Sequence, residues 1–189
     1  LFSLAAACFH YSAFELPLLT FFGSRPLTLR GRLVIGAIPL LGYLLFFGGF
    51  DPIASLPIPW IQEKLWIYER LRDSGMAGDA INVFNIVYVM RLLVFYLLLW
   101  KYDVIKEQAP NLSLLLKVFA ISYFCFTALG ALPVMAFRYA ELFGVVEIVM
   151  VPYLALTMKP EAFGKSLVIV FAFGCMMLNV FYNELLKLS

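Results

Sequence analysis

The sequence predicts an all-α fold, a polytopic bundle of about six transmembrane helices with one further amphipathic helix in an outer interface. Three observations carry this expectation. Apolar residues make up 63% of the 189 positions and charged residues 14%, a balance outside that of soluble domains. The mean hydropathy is +0.93, and apolar runs long enough to cross a bilayer, which takes about 20 residues, recur between breaks rich in charge, Pro or Gly. No linker, low-complexity tract or repeat divides the chain, so residues 1–189 are read as a single transmembrane domain. It opens on Leu1 and runs straight into an apolar stretch without a signal-peptide pattern, and is expected to be the C-terminal part of a longer polytopic protein.

The runs lie near 3–22, 33–50, 82–100, 113–136, 139–157 and 165–186. Pro17, Pro39, Pro133 and Pro152 fall within or at the ends of these runs, so kinked and partly broken helices are expected, tolerable where neighbouring helices satisfy the freed backbone groups. Lys and Arg in short loops set the orientation. Arg25, Arg30, Arg32, Lys101, Lys106, Lys117, Lys159 and Lys165 fall in or beside alternate connections, which places those connections in the cytoplasm. Residues 51–81, a short turn around Arg138 and the C-terminus then lie outside, with Lys64, Arg70, Arg72, Arg138 and Lys187.

From Trp60 to Arg72 the apolar residues recur at three-, four- and seven-residue steps while Gln62, Glu63, Glu69, Arg70 and Asp73 take the other side. This is the pattern of a helix lying in the interface over about 60–72. It could simply anchor the loop, or form a lid whose Glu63, Glu69, Arg70 or Arg72 faces a substrate.

A net charge of +2 with dispersed basic residues excludes a nucleic-acid footprint. Cys8, Cys125 and Cys175 show no metal-ligand spacing and are odd in number, so they read as packing residues, and neither metal nor cofactor is expected. Ionisable groups inside spans cost about 2.5–3.5 kcal/mol each on insertion scales, so each needs a partner or a task. The candidates are His10, Glu15, Arg91, Glu141 and Glu147. At about 1.5 Å per residue, His10 lies about 10 Å below the outer surface, and Arg91, Glu147 and Glu15 about 14–18 Å below it.

Arg91 is the one permanent cation deep in a span. It can form a structural ion pair, or end a polar track of Asn82, Asn85, Tyr88 and Arg91 at three-residue steps descending from outside. His10 suits either hydrogen-bonded packing or proton transfer near neutral pH. Arg138, beside Tyr139 and three residues before Glu141, can pair with that carboxylate or offer its donor fork to a phosphate or diphosphate. Asn179, Tyr182 and Asn183 read as interhelical hydrogen-bonding groups.

Two segments resemble those of the EpsG-like, Wzy-type bacterial polysaccharide polymerases. Ala6-Ala7-Cys8-Phe9-His10-Tyr11-Ser12-Ala13 is similar to a family helix that carries a histidine ahead of Ser-Ala. Arg138-Tyr139, Glu141-Leu142-Phe143 and Val151-Pro152-Tyr153 are similar to a second stretch, of Arg, aromatic and Pro. The resemblance implies a glycosyltransferase of the outer face of the bacterial cytoplasmic membrane that joins undecaprenyl-diphosphate-linked repeat units of O-antigen, capsule or exopolysaccharide. Neither nucleotide sugar nor obligatory metal is implied. Its partners would be lipid-linked glycans, the bilayer and other members of a polysaccharide assembly system. In this reading His10, Arg138 and Glu141 are catalytic, and Arg91, Tyr139, Tyr88, Arg70 and Arg72 bind substrate. A transporter or flippase of lipid-linked oligosaccharide, a membrane-bound acyltransferase using His10, and a structural subunit are the competing readings. The cytoplasmic halves hold little ionisable chemistry, which counts against transport, and the buried ionisable groups count against a purely structural role.

Overall fold

A computed structural model describes residues 22–50, 55, 57–74 and 81–181. The expected first span with His10 and Glu15 lies outside them, as do Tyr182 and Asn183 and the side chains of Glu69, Arg72 and Asn179. Regular structure among the described residues is wholly helical. The helices are α1 (Leu29–Phe47), α2 (Pro59–Asp73), α3 (Ile86–Trp100), α4 (Tyr102–Ile105), α5 (Leu112–Ala128), α6 (Pro133–Gly144), α7 (Glu147–Met150), a 3-10 helix (Val151–Thr157) and α8 (Glu161–Phe181).

Local chemistry sets the helix ends where hydropathy blurs them. Helix α1 begins at Leu29 because the Thr28 hydroxyl accepts from the Gly31 N–H at 3.2 Å, an N-cap that apolar content does not reveal. Pro39 lies inside α1 without ending it. Helix α3 is capped by Asn85, whose side chain accepts from the Val87 N–H at 3.0 Å. The expected run 113–136 stops at Ala128, and a new helix starts on Pro133, whose fixed φ and absent N–H suit a first helical turn. This corrects the expected turn around Arg138. The turn is at 129–132, and Arg138 sits in the middle of α6.

Two described helical stretches, Leu29–Phe47 and Glu161–Leu178, are long and apolar enough to cross a membrane. A third crossing results if α6 and the 147–157 helices, bent by 41° at their break, count as one broken span. Helices α3 and α5 are apolar but shorter, at 15 and 17 residues. Helix α2 matches the amphipathic segment read from the sequence, and it exposes Trp66 and Ile67.

Helix α5 is the central element, packed between α1 and α6. Its Leu116, Phe119, Ala120, Tyr123 and Phe126 are all buried. In a bilayer, apolar side chains gain little by leaving lipid for protein, so close packing and interhelical hydrogen bonds hold helices together. Gly42 shows how close the approach is, because a Cβ there would stand 2.0 Å from the Thr127 Oγ1 on α5.

Hydrogen bonds define the two ends of the bundle. At one end the Ile81 N–H donates to the Gly130 carbonyl at 3.1 Å, and the Tyr43 hydroxyl donates to the Val83 carbonyl at 2.9 Å. At the other, Lys117 Nζ donates to the carbonyls of Phe22 and Gly23 at 3.0 and 2.7 Å. There Arg32 meets Asp103 at 2.8 Å, and Lys106 meets the same carboxylate at 2.9 Å. The basic residues of the first and third connections thus share one end.

Candidate functional site at the bend between α6 and α7

Arg91 projects from α3 into the bundle with its side chain 15% exposed. Its Nε donates to Glu147 Oε2 at 2.5 Å. Glu147 opens α7, directly after the break that bends the chain. The ion pair therefore ties a straight helix to the far side of a helix break. A lone guanidinium at this position would be strongly unfavourable, and the carboxylate removes its net charge.

Aromatic rings complete the enclosure. The guanidinium carbon lies 4.9 Å from the Tyr88 ring centroid and 5.8 Å from that of Phe119, within range of cation–π attraction. Tyr88 stacks on Phe126 with centroids 3.5 Å apart and planes within 4°. Gly144 lets the backbone of α6 come against this group, since a Cβ there would stand 2.7 Å from Arg91 Nη2 and 3.1 Å from Ser122 Oγ. The Ser122 hydroxyl donates to the Ala140 carbonyl at 2.6 Å, one turn earlier on α6. Above these groups the Tyr43 and Tyr123 hydroxyls meet at 3.0 Å, and Phe137 lies 5.9 Å from Phe126 between centroids.

Arg138 and Glu141 occupy the opposite face of α6. Ala136, Ala140, Phe143 and Gly144 are buried, whereas Arg138 and Glu141 are exposed. No ion pair joins them, and among the described residues Arg138 enters none. Six residues, about 9 Å of helix rise, separate Arg138 from Gly144, the residue against Arg91. A single phosphate cannot bridge two groups so placed without rearrangement. Tyr139 is half-buried on a third side of α6.

Of the site residues read from sequence, the structure thus unites Arg91 and Tyr88, adds Glu147, and sets Arg138 apart from them, while the Glu141 carboxylate is near enough to Tyr88 to act on it electrostatically. Arg70 is on α2, stacked 3.9 Å from the Trp66 ring centroid. The four-residue polar track divides. Asn82 accepts from the Phe84 N–H at 3.0 Å and Asn85 caps α3, so both shape the turn that starts the helix. Only Tyr88 and Arg91 enter the interior. Sequence reading passed over Ser122 and Gly144. The signal for Gly144 was its place three residues before an intramembrane glutamate, while nothing local marks Ser122.

A family model matches residues 1–188. The chain belongs to the EpsG family. Membership places it among membrane proteins of polysaccharide biosynthesis, in accord with the apolar helices. No similar curated protein and no similar solved structure was found.

Proposed function

We propose that this EpsG-family chain is a polysaccharide polymerase, a membrane glycosyltransferase that joins undecaprenyl-diphosphate-linked repeat units on the outer face of the bacterial cytoplasmic membrane. The observation that carries the reading is Arg138, an exposed guanidinium in an apolar helix with no ion pair among the described residues. Such a group is suited to an anionic headgroup, which a planar donor fork holds bidentately. The end bearing Arg32, Lys101, Lys106 and Lys117 is assigned to the cytoplasm by the positive-inside rule, and the end nearest Pro133 faces outward. In this reading the chain is one membrane domain of six spans, with α3 and α5 as short crossings.

The reaction breaks the bond between the anomeric carbon of the donor glycan and its diphosphate, and forms a glycosidic bond to an acceptor hydroxyl. The electron pair leaves with the diphosphate, where Arg138 stabilises the developing charge. The hydroxyl proton passes to His10 or Glu141. Arg91 and Tyr88 serve differently, by fixing the bend that presents α6.

Separate substitution of Arg138 and His10 in the full-length protein tests this. Lipid-linked single repeat units are expected to accumulate in each variant. Normal long polymer from both, at normal protein levels in the membrane, overturns the assignment.

A further inference from the structure

The outward face of α6 and α7 carries a pattern that the chemistry of Arg138 and Glu141 leaves unused. Val134, Arg138 and Glu141 follow one another at steps of three and four residues along α6, and Val145 and Ile148 continue that spacing across the 41° bend into α7. Val134, Val145 and Ile148 are 41%, 58% and 75% exposed, and Val149 beside them is 51% exposed. The opposite side of α6, from Ala136 to Gly144, is packed into the bundle. From Arg138 to Ile148 the chain rises by at most about 15 Å of helix, less the shortening at the 41° bend, so that it spans up to half of a hydrocarbon core of about 30 Å. Arg138 and Glu141 therefore stand at the head of an apolar track about as long as one leaflet is deep.

We propose that this stripe is the track for the hydrocarbon chain of the lipid-diphosphate substrate, its diphosphate at Arg138 and its tail descending over Val145, Ile148 and Val149 towards the bilayer centre. The proposal rests on the polymerase reading and its outward assignment of α6. Arg138 sets the orientation, because it sits at the headgroup end and the exposed residues of the stripe that follow Glu141 are apolar, Glu147 being turned inward onto Arg91. Substrate then arrives sideways from the outer leaflet, without entering the Arg91–Glu147 interior.

The test uses the full-length protein in proteoliposomes with two donors that share a glycan diphosphate and differ in tail length. In a V145S/I148S variant, KM for the long-tailed donor is expected to rise about tenfold, and that for a donor cut to about ten carbons less than twofold. R138A should weaken both donors alike. Equal effects of V145S/I148S on both tails, or none on either, overturn the track.

A sugar-free polyprenyl diphosphate with a photoreactive tail separates this result from the fate of the polymerase reading. Labelling within residues 141–150 that falls in V145S/I148S supports the track even if no polymer forms. Polymer formation without such labelling removes the track and keeps the enzyme. Equal displacement of the label by excess phosphatidylglycerol, the mark of an ordinary lipid contact, also overturns it.

Discussion

Arg91 and Arg138 are the same residue type in the same bundle, and their surroundings differ in every respect. Arg91 is enclosed, paired with Glu147 and flanked by the rings of Tyr88 and Phe119. Arg138 is exposed on the outer stripe of α6, outside every described ion pair. A cation already neutralised by a fixed carboxylate holds structure together, whereas one left exposed is open to an anionic ligand, the role proposed for Arg138. In the sequence both are simply arginines in apolar runs.

The sharpest way to break the comparison is to remove one member of the buried pair. E147A leaves an uncompensated guanidinium inside the bundle and should cost about 3 kcal/mol, measured by denaturant unfolding in detergent and followed by helical circular dichroism. R91M/E147L, which removes both charges, should recover most of that loss. R138A should stay within about 0.5 kcal/mol of wild type while abolishing polymer. A large loss of stability in R138A would show that the two arginines are not different in kind.

A smaller effect is expected from G144A, where the added methyl meets Arg91 Nη2. Overpacking of this kind costs about 1–3 kcal/mol. Combined with R91A the penalty should shrink, because the obstructing group is gone; additive losses would place the strain elsewhere.

Y43F removes the hydroxyl that donates to the Val83 carbonyl and adjoins Tyr123. A loss of about 1 kcal/mol is expected, read in the same unfolding assay. Its site is the end of the bundle that carries α6 onward, so polymer length is a second readout.

The least effect belongs to the opposite end. The hydrogen bond from Lys106, and then that from Arg32, holds the Asp103 carboxyl below its ordinary value, and the same bond from Lys106 raises the Lys106 ammonium. A depressed carboxyl contributes stability above its unfolded pKa and loses it as pH falls through the lower folded value. The raised amine contributes below its unfolded pKa and loses that as pH rises through the higher folded value. D103N should therefore lower the neutral-pH midpoint slightly and, to the same small extent, flatten both the acid and the alkaline limbs. Unchanged limbs would show that this exposed trio contributes nothing measurable.

How much was legible varied along the chain. The amphipathic helix read near 60–72 is α2 within one residue at either end, because its alternation of apolar and charged residues is a strong local signal. The boundary between α5 and α6 was not legible. Residues 129–132 are Leu, Gly, Ala and Leu, apolar enough to continue a hydropathy run, and only the backbone reveals that the helix stops and Pro133 starts another. The depth estimate placed Arg91 level with Glu147, and they do pair. The same arithmetic could not tell that Arg138 and Glu141, three residues apart, would stay unlinked, since rotamer and facing neighbours decide that.

The sequence by itself determined the solvent, the helical class, the basic end of the bundle and the set of ionisable groups that must be accommodated. These follow from composition and period, and each residue contributes to them without reference to distant neighbours. Tertiary structure alone decided which of those groups are enclosed. The bend at 144–147 brings Glu147 to Arg91, Gly144 makes room for the guanidinium, and the packing of Ala136 and Ala140 inward turns Arg138 outward. The physical reason is that a charge in an apolar helix has the same local signature whether it faces a partner or a ligand. For Arg91 that choice is made by Glu147, 56 positions away along the chain.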